Sequence, residues 1–213
     1  MSAPGSRPTL PWIIAALALA SGLGLWLGAR WSAPASEVPR TESALVYPEP
    51  RPVPAFTLKR SDGAPFARKD LEGAWTLMFF GYTHCPDVCP VTLALYKELE
   101  TLLAREPAAQ PVRFVFVSVD PARDDLQSLG AYAGYFSPAI LAATADDAEL
   151  EPLTRALGVV YARNAPDARG EYAVDHSAGL LLIDPHARLH ALIRPPLVAQ
   201  AIASDLRALA QNR

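Results

Sequence analysis

Two cysteines, Cys85 and Cys89, lie four positions apart in the segment GYTHCPDVCP (residues 81–90) and are the only cysteines of the chain. Their sulfurs could form a structural disulfide, act as a redox dithiol or bind a soft metal ion such as Cu(I). A disulfide across so short a loop gains little stability. Thioredoxin-type redox motifs have two residues between the cysteines, where this chain has three. The spacing therefore favours redox or metal chemistry and leaves both open.

Two prolines determine how the cysteines are expected to lie. Proline suits the first position of a helix, and the residue before a proline is disfavoured in helical geometry. We therefore expect Cys89 near the N-cap of a helix and Cys85 in the preceding loop. Residues 86–88 would form a bend that brings both sulfurs to one point. Backbone N–H groups at the helix start would favour the thiolate form of Cys89.

A metal site with two thiolates needs a further ligand, and the chain has four histidines. His84 adjoins the first cysteine and is expected to shape the turn. His186 lies in a predicted hairpin turn, and His190 follows on its second strand, so both are expected at the surface. These three positions are weaker candidates for a ligand.

His176, in the segment VDHS, directly precedes the first strand of that hairpin. In a thioredoxin-like sheet this loop lies beside the turn that carries the cysteines. We therefore predict His176 as the third ligand. Asp175 is predicted to orient its ring, because a ligating imidazole usually has such a partner.

Alternating strands and helices are predicted around these residues. An apolar run between glycines, residues 76–80, indicates a buried strand that leads into the cysteine turn, and leucine spacing predicts a helix over 92–105. The apolar run 112–119 is typical of a central strand covered on both faces. Further helices are predicted at 124–136, 146–157 and 197–209, and further strands at 56–58, 140–144, 179–183 and 188–193. This order predicts an α/β domain of the thioredoxin-like fold, with a central mixed sheet flanked by helices.

The N-terminal part of the chain predicts a membrane anchor. Residues 11–29 carry no charge and would form about 28 Å of helix, close to the thickness of a bilayer core. A cleaved signal peptide is the alternative, but so long an apolar segment and Pro34 in the candidate cleavage site favour an anchor. We predict a short cytoplasmic tail at 1–10, a proline-rich tether at 30–53 and the folded domain at 54–213. In a bacterium this arrangement makes a single-pass protein of the inner membrane with its domain in the periplasm.

Three segments resemble the motif blocks of the SCO/SenC family: GYTHCPDVCP at 81–90, SVDPARD at 118–124 and VDHS at 174–177. Members of that family are membrane-tethered, thioredoxin-like copper proteins of mitochondria and bacteria. The resemblance implies that Cys85, Cys89 and His176 bind copper, as Cu(I) or also as Cu(II). Asp120 lies in the second block, where it is expected either to support the site or to cap the following helix.

The resemblance also implies a role in maturing the binuclear copper site of cytochrome c oxidase subunit II. As a metallochaperone the protein would take copper from an upstream donor and pass it to apo subunit II or another cuproprotein. As a thiol-disulfide reductase it would instead keep the cysteines of its target reduced, with Cys85 and Cys89 as its redox pair. Both roles are proposed within the family, so whether the protein is an enzyme stays open. The net charge of -3 and the lack of a Lys/Arg block predict no nucleic-acid partner.

Overall fold

The structure, a computed structural model, describes residues 10–31 and 40–211. The chain divides into two compact units, Met1–Val38 and Pro39–Arg213. The first contains helix α1 (Leu10–Trp31), whose segment Pro11–Gly28 has a mean hydropathy of 1.7. In length and composition this segment is able to cross a membrane, as predicted for residues 11–29. Most of the predicted tail and the first part of the predicted tether lie outside the described residues.

The second unit contains ten strands and four helices among the described residues. The strands are β1 (Ala44–Pro52), β2 (Thr57–Arg60), β3 (Pro65–Ala67), β4 (Trp75–Gly81), β5 (Val112–Ser118), β6 (Ile140–Thr144), β7 (Tyr161–Arg163), β8 (Val174–His176), β9 (Leu180–Ile183) and β10 (Arg188–Ile193). The helices are α2 (Val88–Arg105), α3 (Leu126–Phe136), α4 (Asp147–Leu157) and α5 (Ala199–Gln211), and a short 3-10 helix spans Arg68–Leu71.

Eight of these strands form one mixed sheet in the order β1-β10-β9-β4-β5-β6-β2-β3, and β7 and β8 form a separate two-stranded ribbon. The central strands β4, β5 and β6 are parallel, so their carboxyl ends lie side by side at the same end of the sheet. All seven residues of β4 are buried, as expected for a strand covered on both faces. The mixed α/β sheet with flanking helices agrees with the predicted fold class. Because β4 and β5 are parallel, the residues that follow these two strands lie next to each other at the same end of the sheet.

The structure differs from the predicted tether of residues 30–53. From Ala44 to Pro52 the chain is strand β1, which pairs with β10 at the edge of the sheet. Prolines are tolerated in an edge strand because they lack only an N–H group that can face away from the sheet. The pairing is interrupted between Val46 and Arg51, which accommodates Pro48 and Pro50. The folded domain therefore begins before residue 54.

A buried carboxylate holds the start of β1 against α5. Asp205 is 3% exposed and accepts hydrogen bonds from the backbone N–H groups of Glu42, Ser43 and Ala44 at 2.7–2.9 Å. The hydroxyl of Ser43 donates a fourth bond at 2.7 Å. The side chain of Asp205 thus accepts hydrogen bonds from the donor groups of the segment that leads into β1.

We expect Asp205→Asn to lower the free energy of unfolding by about 2 kcal/mol, because an amide offers one acceptor oxygen where the carboxylate offers two. Urea denaturation followed by circular dichroism measures this loss. Glu98→Gln makes the same chemical change at an exposed position of α2 and is expected to change stability by less than about 0.5 kcal/mol. Equal stabilities of the two variants would contradict the role assigned to Asp205.

Candidate metal centre

The structure brings the three predicted ligand residues together. The donor atoms of Cys85, Cys89 and His176 all lie within 4.8 Å of one another. The sulfur of Cys89 is 3.5 Å from Nε2 of His176, and both cysteines are free thiols. Cys85 is 9% exposed, whereas Cys89 is fully buried. His176 is also partly exposed, so the group opens to the solvent on the side of Cys85 and His176.

The helix that carries the second cysteine begins earlier than predicted. Asp87 is the N-cap of α2, so Cys89 is the second residue of the helix and Pro90 is the third. Proline is tolerated there because the first N–H groups of a helix have no acceptor within it. Cys85 lies in the preceding loop, as predicted. The first turn of α2 and the end of β4 thus bring the two sulfurs together.

Gly81, the last residue of β4, leaves the space that the sulfur of Cys89 fills. A Cβ atom at this position would lie 2.6 Å from that sulfur and 3.0 Å from ring atoms of Phe79 and Phe116. No side chain other than hydrogen fits without moving the cysteine or an aromatic ring. The sequence pattern does not mark Gly81 as part of the site. Its only signal is a glycine between an apolar strand and a cysteine motif.

The loop between β4 and α2 is held by Asp124, which is 1% exposed. Its carboxylate accepts hydrogen bonds from the backbone N–H of Thr83 at 2.9 Å and from the Thr83 hydroxyl at 2.6 Å. The hydroxyl of Ser118, at the end of β5, donates another at 2.6 Å. Nδ1 of His84 lies 3.5 Å from the same carboxylate, in agreement with the prediction that His84 shapes the turn. Asp124 ends the segment SVDPARD, and the sequence alone does not indicate this role.

His176 ends β8 and pairs with Tyr161 across the ribbon. Its Nδ1 lies 3.2 Å from the carbonyl oxygen of Ser177, which can only accept a hydrogen bond. A proton on Nδ1 satisfies this contact, and in that tautomer the lone pair of Nε2 faces Cys89. Burial lowers the pKa of His176, so the ring is neutral, which is the form that binds metals.

The backbone carbonyl of Ser177 takes the role that was predicted for Asp175. Asp175 is exposed on the ribbon. Successive residues of a strand point to opposite faces, so its side chain lies on the other face from the ring of His176. A backbone group thus supplies the Nδ1 contact, while the charge of Asp175 acts to raise the pKa of His176.

Asp120 is fully buried next to the ribbon and does not cap α3, whose N-cap is Asp125. Its carboxylate accepts hydrogen bonds from Arg123 at 2.6 Å and from the hydroxyl of Tyr172 at 2.8 Å. Nε of Arg163, on β7, lies 3.4 Å away. Asp120 thus fixes the ribbon that carries His176, and the predicted helix cap is wrong.

Two further expectations need correction. Burial raises the pKa of Cys89 in the metal-free protein, although a hydrogen bond from the backbone of Tyr82 acts in the opposite direction. Burial thus outweighs the expected preference for the thiolate.

His190 was expected at the surface but is 13% exposed, and its ring packs on Trp75 with centroids 5.1 Å apart. Trp75 begins β4 and Gly81 ends it, so His190 lies far from the cysteines, while His186 is exposed as predicted.

Two thiolates and one imidazole form a donor set that suits Cu(I), a soft ion that accepts low coordination numbers. The Nδ1 contact to Ser177 also provides the outer partner that a ligating histidine needs. The residues present therefore fit a copper ion.

Residues 47–211 of the chain match the model of the SCO1/SenC family. The chain belongs to this family. A Stutzerimonas stutzeri protein provisionally named as copper-binding is 34% identical to this chain over 170 residues, which cover 80% of this chain and 82% of that protein. The mitochondrial SCO2 homologue of Homo sapiens is 31% identical over 183 residues, which cover 84% of this chain and 69% of that protein.

Solved structures of SCO1/SenC proteins have the same fold. One is the structure of Bradyrhizobium japonicum ScoI with copper bound, whose sequence is 31% identical to this chain. The two structures match with a TM-score of 0.66, and the match covers 73% of this chain and 98% of that chain. These likenesses confirm the thioredoxin-like α/β architecture. The match spans about half the length of some mitochondrial homologues, such as 51% of mouse SCO2.

Proposed function

We propose that this protein is a copper metallochaperone that binds copper through Cys85, Cys89 and His176. The observation that carries the proposal is the convergence of these three donors within 4.8 Å, from two separate parts of the fold. Membership of the SCO1/SenC family and the copper named for the B. japonicum relative support the choice of metal.

Copper transfer would proceed by ligand exchange from the side of Cys85. Cys85 is the more exposed of the two cysteines, so a thiolate of an acceptor protein reaches the ion there first. Cu(I) accepts low coordination numbers, which allows an incoming ligand to replace a leaving one. We propose the binuclear copper site of apo cytochrome c oxidase subunit II, or another cuproprotein, as acceptor, with copper supplied by an upstream donor protein.

The proposed location is the bacterial inner membrane. The apolar stretch of α1, Pro11–Gly28, would be a retained single-pass anchor that follows a short cytoplasmic tail. The folded unit would then lie in the periplasm. Residues between α1 and Ala44 would connect the two.

The free thiols at Cys85 and Cys89 favour a second candidate, a thiol-disulfide reductase. Their sulfurs lie within 4.8 Å, so a modest movement could join them in a disulfide. In that reaction the two thiols are oxidised, and the target disulfide accepts two electrons and two protons. Cys85 would attack, since Cys89 is fully buried.

Copper titration of the reduced full-length protein in detergent tests the proposed function. We expect one Cu(I) per chain, because the three donors form one site. Mixing the loaded protein with the apo copper domain of an oxidase subunit II should then transfer the ion, measured as metal in each protein after separation. Cys85→Ser/Cys89→Ser is the matched control and is expected to bind no copper at the site. A wild-type protein that binds no more copper than this control would contradict the proposal.

A further inference from the structure

The ribbon of β7 and β8, which carries His176, is held to the rest of the domain by side-chain contacts. Within residues 40–211 its two strands pair with each other and with no strand of the eight-stranded sheet. A two-stranded ribbon has little stability of its own in water. The position of His176 therefore depends on the contacts that hold this ribbon in place.

Side chains from both strands of the ribbon converge on the buried carboxylate of Asp120. Tyr172, two positions before β8, donates a hydrogen bond from its hydroxyl to this carboxylate at 2.8 Å. Nε of Arg163, on β7, lies 3.4 Å from the same oxygen. Arg163 also donates to the carbonyl oxygen of Val119 at 2.9 Å. Asp120 and the backbone next to it thus attach the ribbon to the end of β5.

Arg123 links this attachment to the ring of the ligand. Its Nε donates to Asp120 at 2.6 Å, and its Cζ lies over the ring of Tyr172, 3.5 Å from the centroid. The same Cζ lies 5.7 Å from the ring centroid of Tyr82. The ring of Tyr82 in turn meets the ring of His176 edge to face, with centroids 5.8 Å apart. Arg123 therefore contacts the ribbon through Tyr172 and the neighbour of the ligand through Tyr82.

Aromatic rings supply part of the stabilisation of the Arg123 guanidinium. Its Nη2 is buried and has no hydrogen-bond partner within the described part of the chain. A buried charged donor without an acceptor costs free energy unless another group stabilises its charge. The faces of Tyr172 and Tyr82 do so, because a guanidinium is attracted to the negative face of an aromatic ring. The positions of Arg123 and of these two rings thus depend on one another.

We propose that Arg123 and Tyr172 position His176 for copper by fixing the ribbon before the ion binds. A ligand that is already in place has no ordering cost, whereas a ribbon that spends time elsewhere lowers the apparent affinity in proportion. This inference rests on the proposed copper-binding function. Neither residue is one of the three donors, so both are positioning residues and their effect on copper passes through His176.

Two substitutions in the full-length protein test this role. Arg123→Lys keeps the positive charge beside Asp120 and removes the planar group that stacks on the rings. Tyr172→Phe keeps the ring and removes the hydroxyl that bonds to Asp120. We expect the Cu(I) dissociation constant, measured by competition with a chromophoric chelator, to rise about tenfold in Arg123→Lys and about threefold in Tyr172→Phe.

The same substitutions in a His176→Ala background separate positioning from a general loss of structure. Without the imidazole the position of the ribbon no longer affects the ion. Arg123→Lys/His176→Ala should therefore bind Cu(I) as tightly as His176→Ala alone. A substitution that merely distorted the cysteine loop would weaken binding by the same factor in both backgrounds. Tyr172→Phe, the milder change, carries the test if Arg123→Lys does not fold.

Two exposed residues provide matched controls. Arg155→Lys makes the arginine change on α4, at a side chain that is 83% exposed. Tyr135→Phe makes the tyrosine change on α3, at a residue that is 83% exposed. Both variants should keep the Cu(I) dissociation constant of the wild type.

Dissociation constants in Arg123→Lys and Tyr172→Phe that equal that of the wild type would overturn the inference. Losses of equal size with and without His176 would also overturn it, since the two residues would then serve only the fold. In both cases normal copper binding by the wild type leaves the proposed function intact. A wild-type protein that binds no copper would overturn the proposed function itself, and the positioning role with it.

Discussion

Replacing His176 with alanine is expected to lower the affinity for Cu(I) by about 100-fold, or roughly 3 kcal/mol, because the ion would keep only two protein ligands. The ring of His176 faces Cys89 at 3.5 Å, and among the described residues it is the one imidazole grouped with the two cysteines. Competition with a chelator of known affinity measures the loss. The loss should be greater for Cu(II), which prefers nitrogen donors and higher coordination numbers.

His186→Ala is the matched control, because His186 is exposed in the turn before β10 and should not affect copper. The pair of variants also separates the two candidate functions. Cys85 and Cys89 remain in His176→Ala, so a reductase should still cycle between dithiol and disulfide against a glutathione redox buffer. Unchanged copper affinity in His176→Ala would remove His176 from the ligand set.

Much of the fold could be predicted from periodic patterns, because long elements carry their own signal. The apolar run at residues 76–80 predicts strand β4, and the spacing of the leucines predicts helix α2. The missed strands lack such a signal. Strand β1 is rich in proline and pairs only at an edge, and β3, β7 and β8 have three residues each, too few to show alternation.

The site likewise contains ligand residues that the sequence indicates and supporting residues that it does not. Residue type and spacing pointed to Cys85 and Cys89, and the expected place of its loop in a thioredoxin-like sheet selected His176 among the four histidines. The supporting contacts depend on distances that only the folded chain has. Asp124 reaches Thr83 across 41 positions, and the carbonyl of Ser177 is chemically like every other carbonyl. Residue type therefore indicates which groups could bind a metal, while packing determines what orients them.

Gly81→Ala is expected to have the second large effect, on both stability and copper. The added methyl group would stand 2.6 Å from the sulfur of Cys89, far inside van der Waals contact. Overpacking of this kind costs about 1–3 kcal/mol, which chemical denaturation of the metal-free protein measures. Because Cys89 lies in the first turn of α2, its sulfur must leave the position that it holds 3.5 Å from His176. We expect Cu(I) affinity to fall about 10- to 100-fold.

Gly134→Ala, on α3, separates this steric effect from a general effect of replacing glycine. A methyl group at Gly134 meets nothing within 4 Å, so the variant should gain about 1 kcal/mol from helix propensity and keep its copper affinity. Gly81 does not have a positive φ, so backbone strain contributes nothing to the expected loss. If Gly81→Ala binds copper as tightly as the wild type, the sulfur of Cys89 has room to move without leaving the site. The close contact at Gly81 would then serve packing and not the position of the ligand.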